Sequence, residues 1–374
     1  MSEGRPTRCY VDAAALRANF RTIRQRTGAG VKILCVVKAN AYGHGATAVA
    51  RILEKEGSDA FGVATVEEGV ELRRAGIGAP IVVLAGTYPG QLDEVVANRL
   101  TPVISSLEML RAVEGAARAR ALALNFHLKV DTGMHRIGLL AAAVESWLAA
   151  LGELRALKLE GVLSHFAQAE SVHGEYTQNQ LRLFRRLLAR LAEAGYRPPV
   201  VHLANSAAVI TLPEAYFSMV RPGIMLYGVY PSAHMAAEIA LKPALSWKTE
   251  VLQVKKLPPG SRISYGGTFV TQRESVIATL PVGYADGYRR LLSNRARVLV
   301  HGRRAPVVGA VCMDLTMVDV TDIRDVKQGD EVVLVGEQGG EAISVDEMAS
   351  WANTIPYEIL TSIGARVPRY YENL

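Results

Sequence analysis

The chain has 374 residues, 49% hydrophobic and 21% charged. That is enough apolar mass for a sizeable core, and it excludes the disordered and low-complexity classes. Its 42 basic and 36 acidic residues leave a net charge of +6, scattered with no basic run longer than two residues, as at Arg303-Arg304, which speaks against a nucleic-acid footprint. The cysteines Cys9, Cys35 and Cys312 are odd in number, far apart and without a CxxC pair, so neither a disulfide framework nor a zinc site is expected. Residues 1–8 are polar with no apolar h-region, and no window approaches 18 consecutive apolar residues. The expectation is a cytoplasmic, non-membrane protein with reduced thiols.

In chain order, residues 12–27 read as a helix, with Asp12 as candidate N-cap and Leu16, Phe20 and Ile23 at helical spacing. Strand-length apolar runs follow near 33–37, 59–63, 81–84, 101–104, 124–129, 159–163, 200–203 and 218–220, with helical pattern between them. The clearest helix spans 176–194, where Leu181, Phe184, Leu188 and Leu191 make one stripe. Eight strands alternating with helices predict a parallel sheet closed into a (β/α)8 TIM-type barrel; an open doubly wound sheet is the alternative. After about residue 240 the helical stripes stop. Strand-like runs at 248–256, 275–281, 296–301, 306–311, 315–320 and 331–335, separated by Gly, Pro and Asp, predict a mainly β C-terminal domain. The expected domains are 1–240 and 241–374, joined through 231–243, with 345–363 as a short helical return and Asp346 as its candidate cap.

In such a barrel the carboxyl ends of the strands carry the chemistry. Those positions here are Lys38, Asn40 and Tyr42 after strand 1; Lys129, Asp131 and Arg136 after strand 5; Ser164 and His165 after strand 6; Asn205 and Ser206 after strand 7; and Arg221, Gly223 and Ile224 after strand 8. A lysine after a strand is usually a surface residue. Lys38 instead follows five apolar residues, and a lysine with a buried root loses proton affinity and becomes a nucleophile suited to a carbonyl group. The segment around 205–206 and 223–224 lies where barrels hold phosphate; alternatively Ser206 merely caps the next helix. Taken without its neighbours, His165 reads by default as a core or capping histidine.

Several other chemistries find little support. Gly43-His44-Gly45-Ala46-Thr47-Ala48 fits G-x-G-x-x-A, but Lys38 to Tyr42 stand between strand and glycine, unlike a dinucleotide-binding turn. There is no P-loop and no G-x-S-x-G elbow. The eight histidines, among them His44, His127, His165, His173 and His202, show no metal-ligand spacing, so no metal is expected.

Taken together, VVKANAYGHG (36–45), KVDTGMHRIG (129–138), SHFAQAE (164–170), HLANSA (202–207), VRPGIMLYG (220–228), ISYGGTF (263–269), PVGYADGY (281–288) and VGAVCMDLTMVDV (308–320) span nearly the whole chain. The chain resembles the bacterial alanine racemases, fold-type III enzymes that use pyridoxal 5′-phosphate. The resemblance implies a barrel followed by a β domain, and a head-to-tail homodimer whose sites combine one subunit's barrel with the other's β domain. By motif it implies that Lys38 carries the cofactor and that Tyr42, Asn205, Ser206, Gly223, Ile224 and Tyr357 surround it, most of them at its phosphate. Arg221 would face the ring nitrogen, and His165 would link it to Tyr265, the second acid/base, contributed by the other subunit. Arg136, the Met313 backbone N–H and Tyr284 would serve the substrate, and Lys129 matches a lysine that is carbamylated in many members. The implied reaction interconverts L- and D-alanine between two opposed bases, supplying D-alanine for peptidoglycan.

Alternatives remain open at this level. Tyr265 and Tyr284 can be core or rim aromatics, although Gly266-Gly267 signals a turn beside Tyr265. Cys312 can be a small residue with no chemical role. A pyridoxal-binding protein without catalysis would lack the β domain, a basic amino-acid decarboxylase would carry Glu in place of Arg221, and a broad-specificity racemase would usually be exported.

Overall fold

Eight parallel strands close into a barrel in chain order: Lys32–Val36, Ala60–Val63, Ile81–Val83, Thr101–Ile104, Leu124–Lys129, Leu157–Leu163, Val200–Asn205 and Met219–Arg221, the last pairing with the first. Their runs of Val, Ile and Leu are buried on both faces, as strands covered by helices outside and side chains inside must be; Ile33, Leu34 and Cys35 are all 0% exposed. The computed structural model describes residues 4–171 and 174–374; residues 1–3, the start of the polar N-terminal stretch, and 172–173, which include His173, lie outside the described residues.

The helices follow local signals. Asp12 accepts the Ala14 N–H at 2.8 Å at the start of the helix Ala13–Thr27, whose Leu16, Phe20 and Ile23 are buried. Helix Glu175–Glu193 buries Leu181, Phe184, Leu187 and Leu191, whereas Leu188 is half-buried. Helix Val66–Arg74 opens with a capping box between Thr65 and Glu68. The turn after the first strand follows no such signal. Ala39, Asn40, Ala41 and Tyr42 have φ of 51–54°, a left-handed turn built without glycine. Each such residue costs roughly 1–2 kcal/mol, so surrounding contacts must hold it. Ala39 N–H donates to Glu68 at 2.7 Å, Ala41 N–H to the Val37 carbonyl at 2.8 Å, and the Asn40 side chain accepts Ala46 N–H at 2.8 Å.

The chain packs as two units: the barrel, from Leu16–Ala41 and Ala46–Lys242, and a second unit made of residues up to Ala15, Tyr42–Gly45 and Pro243–Leu374. The second unit is built on a sheet ordered Arg303–Pro306, Arg297–Val300, Glu331–Gln338, Leu245–Glu250, Arg8–Asp12, Arg369–Glu372, with Glu341–Ile343 paired to Glu331–Gln338. Gln253–Leu257, Ser275–Leu280 and Thr316–Asp319 form a second sheet, and Arg262–Ile263 pairs with Phe269–Val270. Among the described residues no helix is long and apolar enough to cross a membrane.

Three sequence expectations change here. The run 248–256 divides at Val251-Leu252 into strands of two different sheets. After Pro306 the run keeps only a bridge from Val307 to Val318 and then turns at Gly309, whose φ is +77° and which packs so close to Ile263 that a Cβ would lie 2.7 Å from its carbonyl oxygen. The return 345–363 is two helices, Val345–Trp351 and Pro356–Ser362, and the first is capped by Ser344, which accepts Glu347 N–H at 3.0 Å, rather than by Asp346. Asp346 lies one residue past the helix start, where its own backbone is already helical.

Candidate active site

The barrel brings Lys38, Lys129, His165 and Arg221 together at the carboxyl ends of four strands. Arg221, 4% exposed, is fixed by its neighbours' backbone. It donates to the carbonyls of His202 and Ser164 at 2.8 Å each and of Leu203 at 3.1 Å, and its Nη2 lies 3.1 Å from His165 Nδ1. Burial pulls Arg221 down to about 9, which still leaves it a cation at neutral pH. A guanidinium only donates, so His165 Nδ1 accepts and the neutral ring carries its proton on Nε2. Neutrality of that ring has a clear cause: burial first, then the positive charges of Arg221, Lys129, Arg136 and Lys38, hold it well below the usual histidine value.

Both lysines are also biased toward the free amine. Lys129, 6% exposed, is held well below its ordinary value by burial and then by Arg221 and Arg136, against the opposing charge of Asp131. Lys38 is lowered by burial and then by Arg136, with Glu68 opposing. Asp131 is itself engaged, accepting the N–H of Gly133 at 2.9 Å and of His135 at 3.1 Å, and so shapes the loop that carries the exposed Arg136. Four basic side chains thus meet only two carboxylates. Such a set of amine and guanidinium donors, with Lys129 and Arg221 buried, suits an anionic ligand.

After strands 7 and 8 the polar groups take different parts from those read in sequence. Asn205, not Ser206, caps the helix Ser206–Thr211, its side chain accepting Ala208 N–H at 3.1 Å. That releases the Ser206 hydroxyl, which accepts Gly223 N–H at 2.8 Å and ties the two strand ends together. The capping alternative for Ser206 is therefore corrected: two cap-competent residues stand side by side, and the first one has the extended backbone a cap needs. Ile224 opens the short helix Ile224–Tyr227.

In the second unit, Tyr42 and Tyr357 lie together with ring centroids 6.0 Å apart. Tyr265, Tyr284 and Met313 occupy adjoining loops. Tyr284 N–H donates to the Cys312 carbonyl at 3.0 Å, Ala285 N–H to that of Met313 at 3.0 Å, and the Ser264 hydroxyl to that of Ala310 at 2.6 Å. All three side chains point outward: Tyr265 is 73% exposed, Met313 54% and Tyr284 43%. Large apolar groups at that exposure suit a surface that something else covers.

Two supporting residues escaped the sequence reading. Gln180, 1% exposed, donates to the His165 carbonyl at 3.1 Å and accepts Ala167 N–H at 2.9 Å, so it sets the loop bearing His165. Its signal was a polar residue set beside Leu181 on the stripe of its helix. Glu68 was hidden inside an ordinary capping motif.

Comparison with known proteins agrees with this geometry. Residues 11–231 match the family model of the alanine racemase N-terminal domain and residues 244–371 that of the C-terminal domain. Alanine racemases of Halothermothrix orenii and Symbiobacterium thermophilum are 46% and 49% identical, over 99% and 98% of this chain and 97% of each relative. Among solved structures, an alanine racemase of Bacillus anthracis with bound L-Ala-P superposes with TM-score 0.95 at 38% identity, covering 100% of this chain and 96% of that one. One from Bartonella henselae, with covalently bound pyridoxal phosphate, superposes with TM-score 0.89 at 32% identity over 99% and 100% of the two chains. Matched in both domains, along its full length and in fold, the chain belongs to the alanine racemase family and is an enzyme of that class.

Proposed function

We propose that the enzyme interconverts L- and D-alanine with pyridoxal 5′-phosphate, using Lys38 and Tyr265 as opposed bases, Tyr265 coming from a second copy of the chain. What supports this most is the convergence of Lys38, Lys129, His165 and Arg221 at the carboxyl ends of the barrel strands, where burial biases Lys38 toward the nucleophilic free amine. When bound, the cofactor supplies the electron withdrawal that makes an amino acid's α-hydrogen acidic. Lys38 would hold it, Tyr42, Asn205, Ser206, Gly223, Ile224 and Tyr357 would surround it, and Arg221 would serve its ring nitrogen. A cationic arginine there keeps that nitrogen unprotonated and limits electron withdrawal, which favours return of the proton to carbon. Lys38 Nζ moves the proton on one face of the α-carbon and Tyr265 Oη on the other, each able to act as acid or base. His165, neutral with its proton on Nε2, relays between Arg221 and that phenol. Arg136, Met313 N–H and Tyr284 hold the substrate carboxylate, and Lys129, biased toward the free amine, is the residue open to carbamylation. We assign the protein to the cytoplasm as a homodimer that provides D-alanine for the cell wall. The test is a panel of L- and D-amino acids followed by chiral chromatography, before and after removal of the cofactor. Alanine should interconvert, and activity should return with pyridoxal 5′-phosphate. Absence of alanine turnover, or turnover independent of the cofactor, would overturn the proposal.

A further inference from the structure

The helix Val66–Arg74 begins with Thr65 as cap and Glu68 at the third position. In a capping box the glutamate returns to the cap's own backbone N–H and its task ends there. Here Glu68 Oε2 accepts Ala64 N–H at 2.6 Å and Thr65 N–H at 3.3 Å, which completes the box. Its other oxygen, Oε1, is turned away to the first barrel loop, where it accepts Ala39 N–H at 2.7 Å. Capping does not explain that second bond. Ala39 is the residue after Lys38 and the first of the four left-handed residues. A single carboxylate therefore joins the end of the second strand to a strained turn immediately behind the reactive lysine.

We propose that Glu68 is a positioning residue for Lys38: it holds the left-handed turn through Ala39 N–H and sets the charge beside the amine. Strained backbone persists only where its surroundings over-determine it. Ala39, next to Lys38, donates its N–H to the Glu68 carboxylate, and a bond to a charged acceptor is among the stronger kinds. The same carboxylate opposes the loss of proton affinity that burial and Arg136 impose on Lys38. The charged and titratable groups bearing on the amine are thus Glu68 and Arg136, and Lys38 in turn bears on His165. Glu68 touches neither substrate nor a reacting atom; it acts through Lys38.

The inference rests on Lys38 being the reactive lysine, and the experiment separates the two. Glu68→Ala, Glu68→Gln and the neighbouring control Glu67→Ala are made in the full-length protein. Amide exchange and acetic-anhydride labelling of Lys38 as a function of pH are followed by peptide mass spectrometry in the cofactor-free form, and kcat and KM are measured in the loaded form. In Glu68→Ala the amide of Ala39 should exchange roughly 10- to 100-fold faster, as loss of a bond to a charged acceptor implies. The Lys38 labelling midpoint should fall in both Glu68 variants, because the charge that favoured the ammonium is gone. kcat should drop about 10- to 100-fold with KM changed far less, since a misplaced reacting group, not weaker binding, is the fault. Glu68→Gln, keeping one acceptor oxygen, should recover part of the exchange protection but not the labelling midpoint. Glu67→Ala should leave every readout unchanged. A Glu68→Gln or Glu68→Ala protein that is less stable but has the wild-type labelling midpoint and kcat would show a cap and nothing more, and would overturn the proposal. If Glu68→Ala does not fold, Glu68→Gln decides by the same midpoint and kcat. Retention of turnover in Lys38→Ala would instead remove the assignment of Lys38 itself.

Discussion

Gly283→Ala tests whether the loops carrying Tyr284 and Met313 must sit where they do. Gly283 has φ −154°, an extended conformation open to alanine, so the substitution introduces no backbone strain. The obstacle is space. A Cβ there would lie 2.3 Å from the Cys312 carbonyl oxygen and 2.4 Å from that of Met313, where ordinary contact begins at 3.4 Å. Both are backbone atoms, so the 312–313 segment must retreat by about 1 Å. That breaks the bonds from Tyr284 N–H and Ala285 N–H that now fix it. Overpacking of this kind costs about 1–3 kcal/mol of stability. A 1 Å misplacement of positioning groups costs about 100-fold in rate. The expected outcome is therefore a folded protein, weaker by that amount in urea, with kcat/KM for both alanine isomers down about two orders of magnitude. Gly115→Ala is the matched control. Gly115 lies in the helix Leu107–Ala119 with nothing within 4 Å of its Cβ position, so the same substitution should stabilise by about 0.4–1 kcal/mol and leave turnover alone. A Gly283→Ala enzyme within threefold of wild type would refute the premise that Met313 and Tyr284 must be held in register.

Lys38→Ala should abolish both the visible absorbance of the bound cofactor and racemisation; a borohydride-reducible adduct at any other residue would count against the assignment. Arg221→Glu would set a carboxylate against the carbonyl oxygens that Arg221 now serves, leaving each acceptor unpaired at about 1–3 kcal/mol. It should therefore lower the urea midpoint sharply and, in whatever fraction folds, raise pyruvate formation relative to racemisation. His165 and His202 both sit well below the ordinary histidine value of 6.5, in each case mainly through burial. The unfolded chain then takes up protons first as pH falls, and stability drops below about pH 6.5. At about pH 5.5 the loss is at most about 1.4 kcal/mol per histidine, and denaturation of His165→Asn should show a shallower acid decline than wild type.

The barrel was legible because each strand carries its own signal: an apolar run bounded by polar residues. Where a strand's identity depends on distant partners, that signal fails. Arg8–Asp12 is five residues long and becomes a strand only between Leu245–Glu250 and Arg369–Glu372, more than 230 residues away. The reverse holds for 307–311, apolar enough for a strand but turned aside by Gly309. The site divides similarly. The basic and aromatic residues at strand ends stand out because such groups are unexpected after apolar runs. The left-handed turn at 39–42 does not, since Ala-Asn-Ala-Tyr contains no glycine to announce positive φ, and one of the contacts that hold it comes from Glu68, nearly thirty residues on. Ser344 and Asp346, two residues apart, and the adjacent Asn205 and Ser206 are all capable of capping, so composition leaves each pair equal and backbone geometry decides.

The proposed division of the two bases between two copies of the chain admits a direct test. Tyr265 is 73% exposed on its own chain, as a residue destined for another subunit's site should be. If Lys38 and Tyr265 serve opposite faces of the α-carbon, Tyr265→Phe removes one of two acid/base groups and should lower racemisation by about 10²–10⁴-fold. The defect should be asymmetric, with solvent exchange of the α-hydrogen persisting better from the isomer that Lys38 serves. Lys38→Ala and Tyr265→Phe homodimers would each be inactive, every site lacking one base. A heterodimer of the two would contain one site with both bases and one with neither. Coexpression with two different affinity tags yields that species in isolation, and its activity should approach half that of the wild-type dimer. Heterodimers that form but stay inactive would place Lys38 and Tyr265 in the same subunit's site, where each site of the heterodimer lacks one base, or make Tyr265 structural.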